Sequence, residues 1–356
     1  NIVNRSHGTM VSGIIGAKAN NGIGVSGINW GMKVLPIQGS SSIESTVLKS
    51  YGYVLDMRAL YDSTNGAKGA FVVATNSSFG IDFATPSSFP LWCAFYDSLG
   101  KYGILNVTAT ANANVNVDVQ GDIPTTCVSE YLIAVTNTDK NDTKVSSSGF
   151  GFNHIDIGAP GELIRSTTNG NGYFVSSGTS LSTPHVAGAV GFMYAAACQE
   201  FINDYSLYPD SMARLVKKII LENGDSIPSL LGITVSGQRL NLFKSAKKIR
   251  TDYNCQFTSI ESKAKLNSSL TIYPNPNNGT FNLELKDFEN GEYTYSLIDI
   301  TGKTIYNNRI VIGNENSVIS ISPMLQVDKG VYIFCLKSDK NTNYFTKFVV
   351  SDNELK

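Results

Sequence analysis

The 356-residue chain has few charged residues and almost no charge imbalance. It has 28 lysines and arginines against 29 aspartates and glutamates, so charged residues make up 16% and the net charge is −1. A surface without excess positive charge gives no electrostatic basis for binding nucleic acid or an anionic membrane. The longest apolar stretch, residues 186–198, is too short to cross a bilayer. We therefore predict no nucleic-acid partner and no membrane span.

Cysteine and histidine are also scarce. Five cysteines without a Cys-x-x-Cys spacing argue against a zinc or redox motif. Cys93 and Cys127 are candidates for a disulfide bond, which the sequence alone leaves open. Only His7, His154 and His185 can supply an imidazole, the side chain whose pKa suits a general base near neutral pH.

The length suits about two domains, and a hydrophobic content of 42% supplies a core. Between about residues 27 and 195, apolar strands alternate with helices. We predict strands at 34–37, 71–74 and 131–135 and a helix over 44–61. This alternation is typical of an α/β domain with a parallel sheet covered by helices on both faces.

The pattern changes near the C-terminus. Short alternating runs separated by turn signals predict six or seven strands in a small antiparallel β-sandwich. The runs are residues 270–273, 280–285, 293–299, 318–321, 331–336 and 346–350. We predict a first domain over 1–250, a polar linker over 251–267 and a second domain over 268–356.

Residues 178–188 (GTSLSTPHVAG) place Ser180 at the start of an apolar helix. Backbone N–H groups there lack an intrahelical acceptor. A serine at this position can attack a carbonyl while its own N–H binds the developing oxyanion. The alternative is an ordinary helix cap, since serine and threonine are common at that position.

The serine segment resembles the nucleophile segment of subtilisin-like serine proteases, and residues 7–16 (HGTMVSGIIG) resemble their histidine segment. The resemblance implies a three-layer parallel-sheet fold with Ser180 as nucleophile and His7 as general base. His185 matches a structural histidine of the family, and His154 has no motif around it.

The resemblance extends to residues 103–112 (GILNVTATAN), a predicted buried strand that ends in an amide. In the family an asparagine at this strand end donates to the oxyanion, which implies this role for Asn112, with Asn114 as the alternative. Ala111 stands where the family has glycine. A turn-forming asparagine is the other interpretation.

Residues 71–80 (FVVATNSSFG) form a predicted strand followed by a Ser-x-Gly edge. The family pairs extended substrate backbone with such a segment, so the resemblance implies that Ser78, Phe79 and Gly80 bind a protein or peptide substrate. An ordinary strand-to-loop turn is the alternative.

Residues 19–25 (ANNGIGV) are similar to a calcium loop of subtilisins. The resemblance implies hard oxygen ligands from the carbonyls of Ala19, Ile23 and Val25 and from the Asn21 side chain. The remaining ligands, a carboxylate included, are expected outside this chain. A glycine-rich turn without metal explains the same residues, and the chemistry itself requires no cofactor.

A catalytic triad also needs a carboxylate that orients the histidine. In this family it precedes the histidine on the first strand, yet none of the six residues before His7 is acidic. Asp156 matches a structural segment instead. We expect the acid, the first strand and a signal peptide upstream of Asn1, so the chain by itself should be weakly active or inactive. Natural loss of the acid is the alternative.

The C-terminal region resembles the sorting domain of the Bacteroidetes type IX secretion system. The similar residues are YPNP at 273–276, GTF at 279–281, DITGK at 299–303 and KGVYI at 329–333. The resemblance implies export across the outer membrane by the type IX machinery, to the cell surface or the medium. A generic accessory sandwich that binds substrate or cell wall is the alternative.

Together these features predict a secreted serine endopeptidase that hydrolyses peptide bonds through an acyl-enzyme. Two other hypotheses remain open. One is a catalytically inactive binding or adhesion protein with the subtilisin fold. The other is a different serine hydrolase, such as an esterase or peptidyl transferase.

Overall fold

The computed structural model describes residues 5–255, 269–299, 303–314, 316–322, 328–339 and 343–351. The chain divides into two compact units, Asn1–Cys255 and Gln256–Lys356. In its described residues the first unit contains the helices α1 (Arg5–Gly16), α2 (Glu44–Ser63), α3 (Pro90–Lys101), α4 (Val117–Gln120), α5 (Thr179–Ala196), α6 (Gln199–Leu207), α7 (Pro209–Glu222) and α8 (Leu242–Asp252). None of the helices in the described part of the chain is both long and apolar enough to span a membrane.

The strands of the first unit are β1 (Ala74–Ser77), β2 (Ile81–Asp82), β3 (Leu105–Ala109), β4 (Asp122–Ile123), β5 (Leu132–Thr138), β6 (Ile157–Pro160), β7 (Ile164–Thr168), β8 (Gly172–Ser176), β9 (Asp225–Ser226) and β10 (Gln238–Arg239). The main sheet has the order β1-β3-β5-β6-β10-β9 and is parallel except for the last pair. Short antiparallel pairs join β2 to β4 and β7 to β8.

Every residue of β3 and β5 is buried, as expected for central strands covered on both faces. Helix α5 packs along β1, β3, β5 and β6, where Leu105, Val107 and Val190 belong to one core. A second core joins α2 and α3 around Tyr51 and Trp92. The predicted parallel α/β fold is therefore confirmed.

The strand predicted at residues 34–37 is wrong, because this segment has no regular secondary structure. Its side chains Val34, Leu35 and Ile37 are 39%, 41% and 36% exposed. Strand β1 is the last strand at one end of the main sheet and pairs only with β3 among the described residues. A strand forms only when its backbone groups find a hydrogen-bonding neighbour, and the described chain offers none to residues 34–37.

Two disulfide bonds close loops in the first unit. The bond between Cys93 and Cys127, left open by the sequence, is present. A second bond, between Cys198 and Cys255, was not predicted and fastens the residues after α8 to the start of α6. The predicted linker thus begins inside α8, and its residues 256–267 lie outside the described residues.

The second unit is an antiparallel sandwich, as predicted. Its strands are β11 (Ser269–Tyr273), β12 (Phe281–Lys286), β13 (Gly291–Asp299), β14 (Thr304–Ile312), β15 (Ser317–Ile321), β16 (Gly330–Ser338) and β17 (Asn343–Val350). They form one sheet of order β11-β12-β15 and another of order β14-β13-β16-β17. Phe281 from the first sheet contacts Phe334 and Phe348 from the second, with ring centroids 5.9 and 4.9 Å apart.

Strand β14 was not predicted. It lies at an edge of its sheet and most of its side chains are partly or fully exposed, so its sequence lacks a buried apolar alternation. The motif predicted at 299–303 lies partly outside the described residues, which omit 300–302.

We expect the double substitution Cys198→Ala/Cys255→Ala to lower the free energy of unfolding of the first unit by about 4 kcal/mol. The cysteines are 57 residues apart, and cross-linking a long loop removes entropy from the unfolded chain. The only two tryptophans, Trp30 and Trp92, both lie in the first unit, so urea denaturation followed by tryptophan fluorescence measures this unit. Cys335→Ser is the control and should leave the transition unchanged, because Cys335 is a free thiol in the second unit. An unchanged midpoint in the double variant would contradict the pairing.

Candidate active site

The start of α5 is held against the end of β3 by the side chain of Asn112. The backbone N–H of Thr179 donates to Asn112 Oδ1 at 2.9 Å, and the Thr179 hydroxyl lies 3.2 Å from the same oxygen. That hydroxyl also donates to the Thr110 carbonyl at 2.6 Å. Because the amide oxygen of Asn112 is occupied by these donors, its Nδ2 is left to donate elsewhere.

Gly178 allows this close approach. Its φ is +148°, and a Cβ there would lie 3.1 Å from Asn112 Oδ1. Glycine accepts this backbone conformation and this contact without a side chain to move. Asn114, the alternative oxyanion residue, is exposed and makes no hydrogen bond to the α5 segment in residues 5–255.

Ser180 is half-buried in the first turn of α5 and faces the segment predicted to bind substrate. Its hydroxyl donates to the Ser78 carbonyl at 3.3 Å, and the Ser78 hydroxyl donates to the Ser180 carbonyl at 2.8 Å. The two serines, 102 residues apart in sequence, are thus direct neighbours. The Ser180 N–H is one of the N-terminal helix groups that lack an intrahelical acceptor.

His7 lies in the first turn of α1, which packs against α5 and β7. Its ring is half-buried, and this burial lowers the pKa of His7 below its usual value near 6.5. The ring is therefore neutral at pH 7, as a general base must be. Within residues 5–255 no hydrogen bond reaches this ring, either from Ser180 or from a carboxylate.

The other histidines have structural partners. His185 Nδ1 contacts the Leu181 carbonyl one helical turn earlier at 2.8 Å, and burial lowers the pKa of His185. His154 Nδ1 lies 2.8 Å from Asp118 Oδ1 in a turn. In the described part of the chain neither ring forms a hydrogen bond with Ser180.

Asp156 is likewise occupied. It is partly buried, desolvation raises its pKa, and its Oδ2 accepts a hydrogen bond from the Ala134 backbone N–H at 2.8 Å. Lys217 lies 3.6 Å from its other oxygen. These contacts fasten β5 to the chain before β6 and suit the structural role expected from the sequence.

The predicted substrate segment follows β1 directly. The Phe79 ring packs against Trp92 with centroids 5.9 Å apart, so this side chain belongs partly to the second core. A Cβ on Gly80 would lie 2.4 Å from the Ile123 carbonyl oxygen, which only glycine permits. Ser78 alone of the three contacts the α5 serine.

The predicted calcium loop is mostly exposed. Asn21 Oδ1 accepts the Ile23 backbone N–H at 3.1 Å, which closes a short turn. The predicted ligands Ala19, Asn21, Ile23 and Val25 supply only neutral oxygens. Among the described residues no group of three or more His, Cys, Asp or Glu side chains could hold a metal ion.

One buried acid beside the end of β3 was missed by the sequence analysis. Asp122 is 1% exposed and its Oδ2 accepts hydrogen bonds from Thr110 Oγ1, Thr125 Oγ1 and the Ala111 N–H. Burial raises the pKa of Asp122 to about 6. The one signal in the sequence was an isolated acid in a stretch of small and apolar residues.

The described site is thus a half-buried serine at the start of a helix that Asn112 links to the end of a strand, built on a parallel α/β sheet. The subtilase family model matches residues 3–226, and the chain belongs to this family. The model of a secretion system C-terminal sorting domain matches residues 271–351. Both resemblances noted in the sequence are thereby confirmed.

Curated relatives are proteases. Subtilisin Savinase of Lederbergia lenta is 33% identical over 192 residues, which cover 52% of this chain and 62% of that protein. The extracellular protease of Xanthomonas campestris is 30% identical over 200 residues, which cover 54% of this chain and 33% of that protein. The matches thus span between about a third and three fifths of these relatives.

Solved structures share the fold. A protease from Pseudoalteromonas arctica superposes with a TM-score of 0.54 at 22% identity, covering 68% of this chain and 70% of the other. The epidermin leader peptide processing serine protease of Staphylococcus aureus gives 0.53 at 18% identity, covering 68% and 63%. At this identity the likeness establishes the fold alone.

We expect Thr179→Val to destabilise the first unit by about 1–3 kcal/mol, because a buried hydroxyl with two acceptors is replaced by a methyl group. Urea unfolding followed by tryptophan fluorescence measures the change. Thr143→Val is the matched control at an exposed position and should stay within about 0.5 kcal/mol of the parent. Equal stabilities of the two variants would show that the link to β3 contributes nothing.

Proposed function

We propose that this chain carries the catalytic machinery of a secreted serine endopeptidase. The observation that supports it best is the hydrogen bond from Thr179, the residue before Ser180, to Asn112 Oδ1, which leaves the amide Nδ2 free to donate. An oxyanion hole needs preorganised donors aimed at the developing charge. Asn112 Nδ2 and the Ser180 N–H are such a pair.

In this mechanism the Ser180 hydroxyl turns from the Ser78 carbonyl and attacks the scissile carbonyl carbon of a peptide. His7 takes the hydroxyl proton, and the oxyanion accepts hydrogen bonds from Asn112 Nδ2 and the Ser180 N–H. Collapse of the tetrahedral intermediate breaks the C–N bond, and the imidazolium gives its proton to the leaving amine. Water then attacks the acyl-enzyme with His7 as base, which releases the acid product and restores Ser180.

The acid that orients His7 comes, in this proposal, from a strand outside the present sequence. Two observations support a place for it. Strand β1 has an unpaired edge within the described residues, and the side chains of 34–37 remain exposed on a segment without a strand partner. In addition, Asn76 Oδ1 on β1 is buried without a hydrogen-bond partner. A strand inserted at this edge would pair with the free side of β1.

The alternative of an inactive binding protein has one observation in its favour, since no carboxylate contacts His7 in the described chain. The two proposals differ in whether Ser180 is nucleophilic. Without the acid, turnover should fall by about four orders of magnitude but stay above the uncatalysed rate.

Export is the second part of the proposal. The matched sorting domain supports recognition of the second unit by the type IX secretion machinery and a location at the cell surface or outside the cell. The loop with Ala19, Asn21, Ile23 and Val25 contributes neutral ligands to a structural calcium ion. Because neutral oxygens alone hold calcium weakly, a carboxylate from outside the described residues completes that site.

We expect a biotinylated fluorophosphonate to label Ser180 slowly, with the adduct located by peptide mass spectrometry. Ser180→Ala should abolish the label, and Asn112→Ala should slow it by about 10²–10³-fold because an oxyanion donor is lost. Because the reactive imidazole is neutral, the labelling rate should rise with pH through the lowered pKa of His7 and then level off.

The matched control is His154→Ala, which removes a histidine bonded to Asp118 and should leave the labelling rate unchanged, whereas His7→Ala should reduce it. Absence of label on Ser180 would favour the inactive binding protein. Casein cleavage that Ser180→Ala abolishes would count against a different serine hydrolase.

We expect deletion of residues 268–356 to retain the protein inside the outer membrane of a host with type IX secretion. Fusion of the same segment to a periplasmic fluorescent reporter should move the reporter to the medium or cell surface. Cell fractionation and immunoblotting measure both. Export of the deletion variant at the parental level would contradict the sorting role.

A further inference from the structure

Asp122 is an acid buried without a cation. It is 1% exposed, and in the part of the chain that the structure describes no lysine, arginine or histidine forms an ion pair with it. Burying an ionised carboxylate away from a counter-charge is costly. Acids with a raised pKa concentrate at functional sites. A cationic ligand would neutralise this carboxylate.

The hydrogen bonds of Asp122 use one side of the carboxylate. Thr125 Oγ1, Thr110 Oγ1 and the Ala111 N–H donate to Oδ2 at 2.6, 2.9 and 3.0 Å. Oδ1 receives no hydrogen bond from the described residues, and it is not one of the fully enclosed polar atoms that lack a partner. One carboxylate oxygen is therefore anchored by three donors, whereas the other has no donor among the described residues.

Asp122 is connected to both segments that the proposed mechanism uses. Its bond to the Ala111 N–H attaches it to the residue immediately before Asn112. On its other side, β4 pairs with β2 in the register Asp82 opposite Asp122, and β2 follows Gly80 directly. Asp122 thus lies between the proposed oxyanion donor and the proposed substrate segment.

A bound peptide brings one side chain to this place. In the proposed function the scissile carbonyl oxygen lies at Asn112 and the preceding backbone runs along residues 78–80, so the side chain next to that carbonyl would lie nearest the residues that join these two segments, Asp122 among them. We propose that Asp122 forms the negatively charged floor of this pocket and selects peptides with lysine or arginine before the scissile bond. This inference rests on the proposed endopeptidase function.

A cationic side chain of the substrate would supply the counter-charge that Asp122 lacks. A lysine or arginine head at Oδ1 would make a charge-assisted hydrogen bond in a dehydrated pocket, where such bonds are strong. The pKa of Asp122 is about 6, raised by burial and also by Asp82 across the ladder. The carboxylate is therefore ionised above pH 7 and protonated below pH 5, so recognition of a cation should weaken as the pH falls.

The competing interpretation is that Asp122 only anchors the end of β3. Asp122→Asn separates the two roles, since the asparagine Oδ1 can still accept hydrogen bonds from these donors while the charge is lost. A structural anchor tolerates this change, whereas a cation pocket does not.

The test is a fluorescence titration of the full chain with p-aminobenzamidine, an aryl amidinium that needs no catalysis to bind. We expect saturable binding at pH 8, at least tenfold weaker binding by Asp122→Asn, and progressive loss of binding as the pH is lowered to 5. Asp118→Asn on α4 is the matched control and should bind like the parent. Equal affinity of the parent and Asp122→Asn would overturn the proposal.

A second measurement on the unmodified chain covers the case in which Asp122→Asn does not fold. The neutral isostere p-aminobenzamide should bind at least tenfold more weakly than the amidinium at pH 8, and equal binding of the two probes would overturn the proposal. Ser180→Ala should bind the amidinium normally. Failure of Ser180 labelling with intact amidinium binding therefore rejects the peptidase function, and normal labelling without amidinium binding rejects the role of Asp122.

Discussion

The contact on which the active region depends is the junction between the end of β3 and the start of α5. Asn112 receives the Thr179 N–H, and the Thr179 hydroxyl reaches back to Thr110, so a strand end and a helix start share one set of hydrogen bonds. The same strand end is tied to Asp122 through Thr110 and Ala111. Ser180, Asn112 and Asp122 are therefore positioned by a single polar network.

The open edge at β1 is the second constraint. A parallel sheet gains stability when each strand is paired on both sides and covered on both faces. Strands β3 and β5 satisfy this condition, whereas β1 is paired on one side only within the described residues. Asn76 on this strand also has a buried side-chain oxygen without a hydrogen-bond partner. The proposed mechanism would link folding and catalysis, since it takes the acid from a strand that pairs with this edge.

The two units are stabilised differently. The first has an aliphatic core under a parallel sheet and two disulfide bonds, which persist in oxidising compartments outside the cytosol. The second has no disulfide among its described residues and relies on aromatic contacts between two antiparallel sheets, centred on Phe281 and Phe334. A sorting domain and a disulfide-bonded enzyme unit agree with the same extracellular destination.

Local sequence determined the helix that begins at Thr179, the apolar parallel strands and the alternating strands of the sandwich, because each follows from residue periodicity and short motifs. The motifs around His7 and Ser180 also sufficed to indicate the family. Tertiary structure decided what depends on distant partners. It left 34–37 without a strand and formed the second disulfide. It also brought Asn112 rather than Asn114 to α5 and buried Asp122 beside them. These outcomes depend on which backbone groups and side chains meet across the fold, and no short stretch of sequence contains that information.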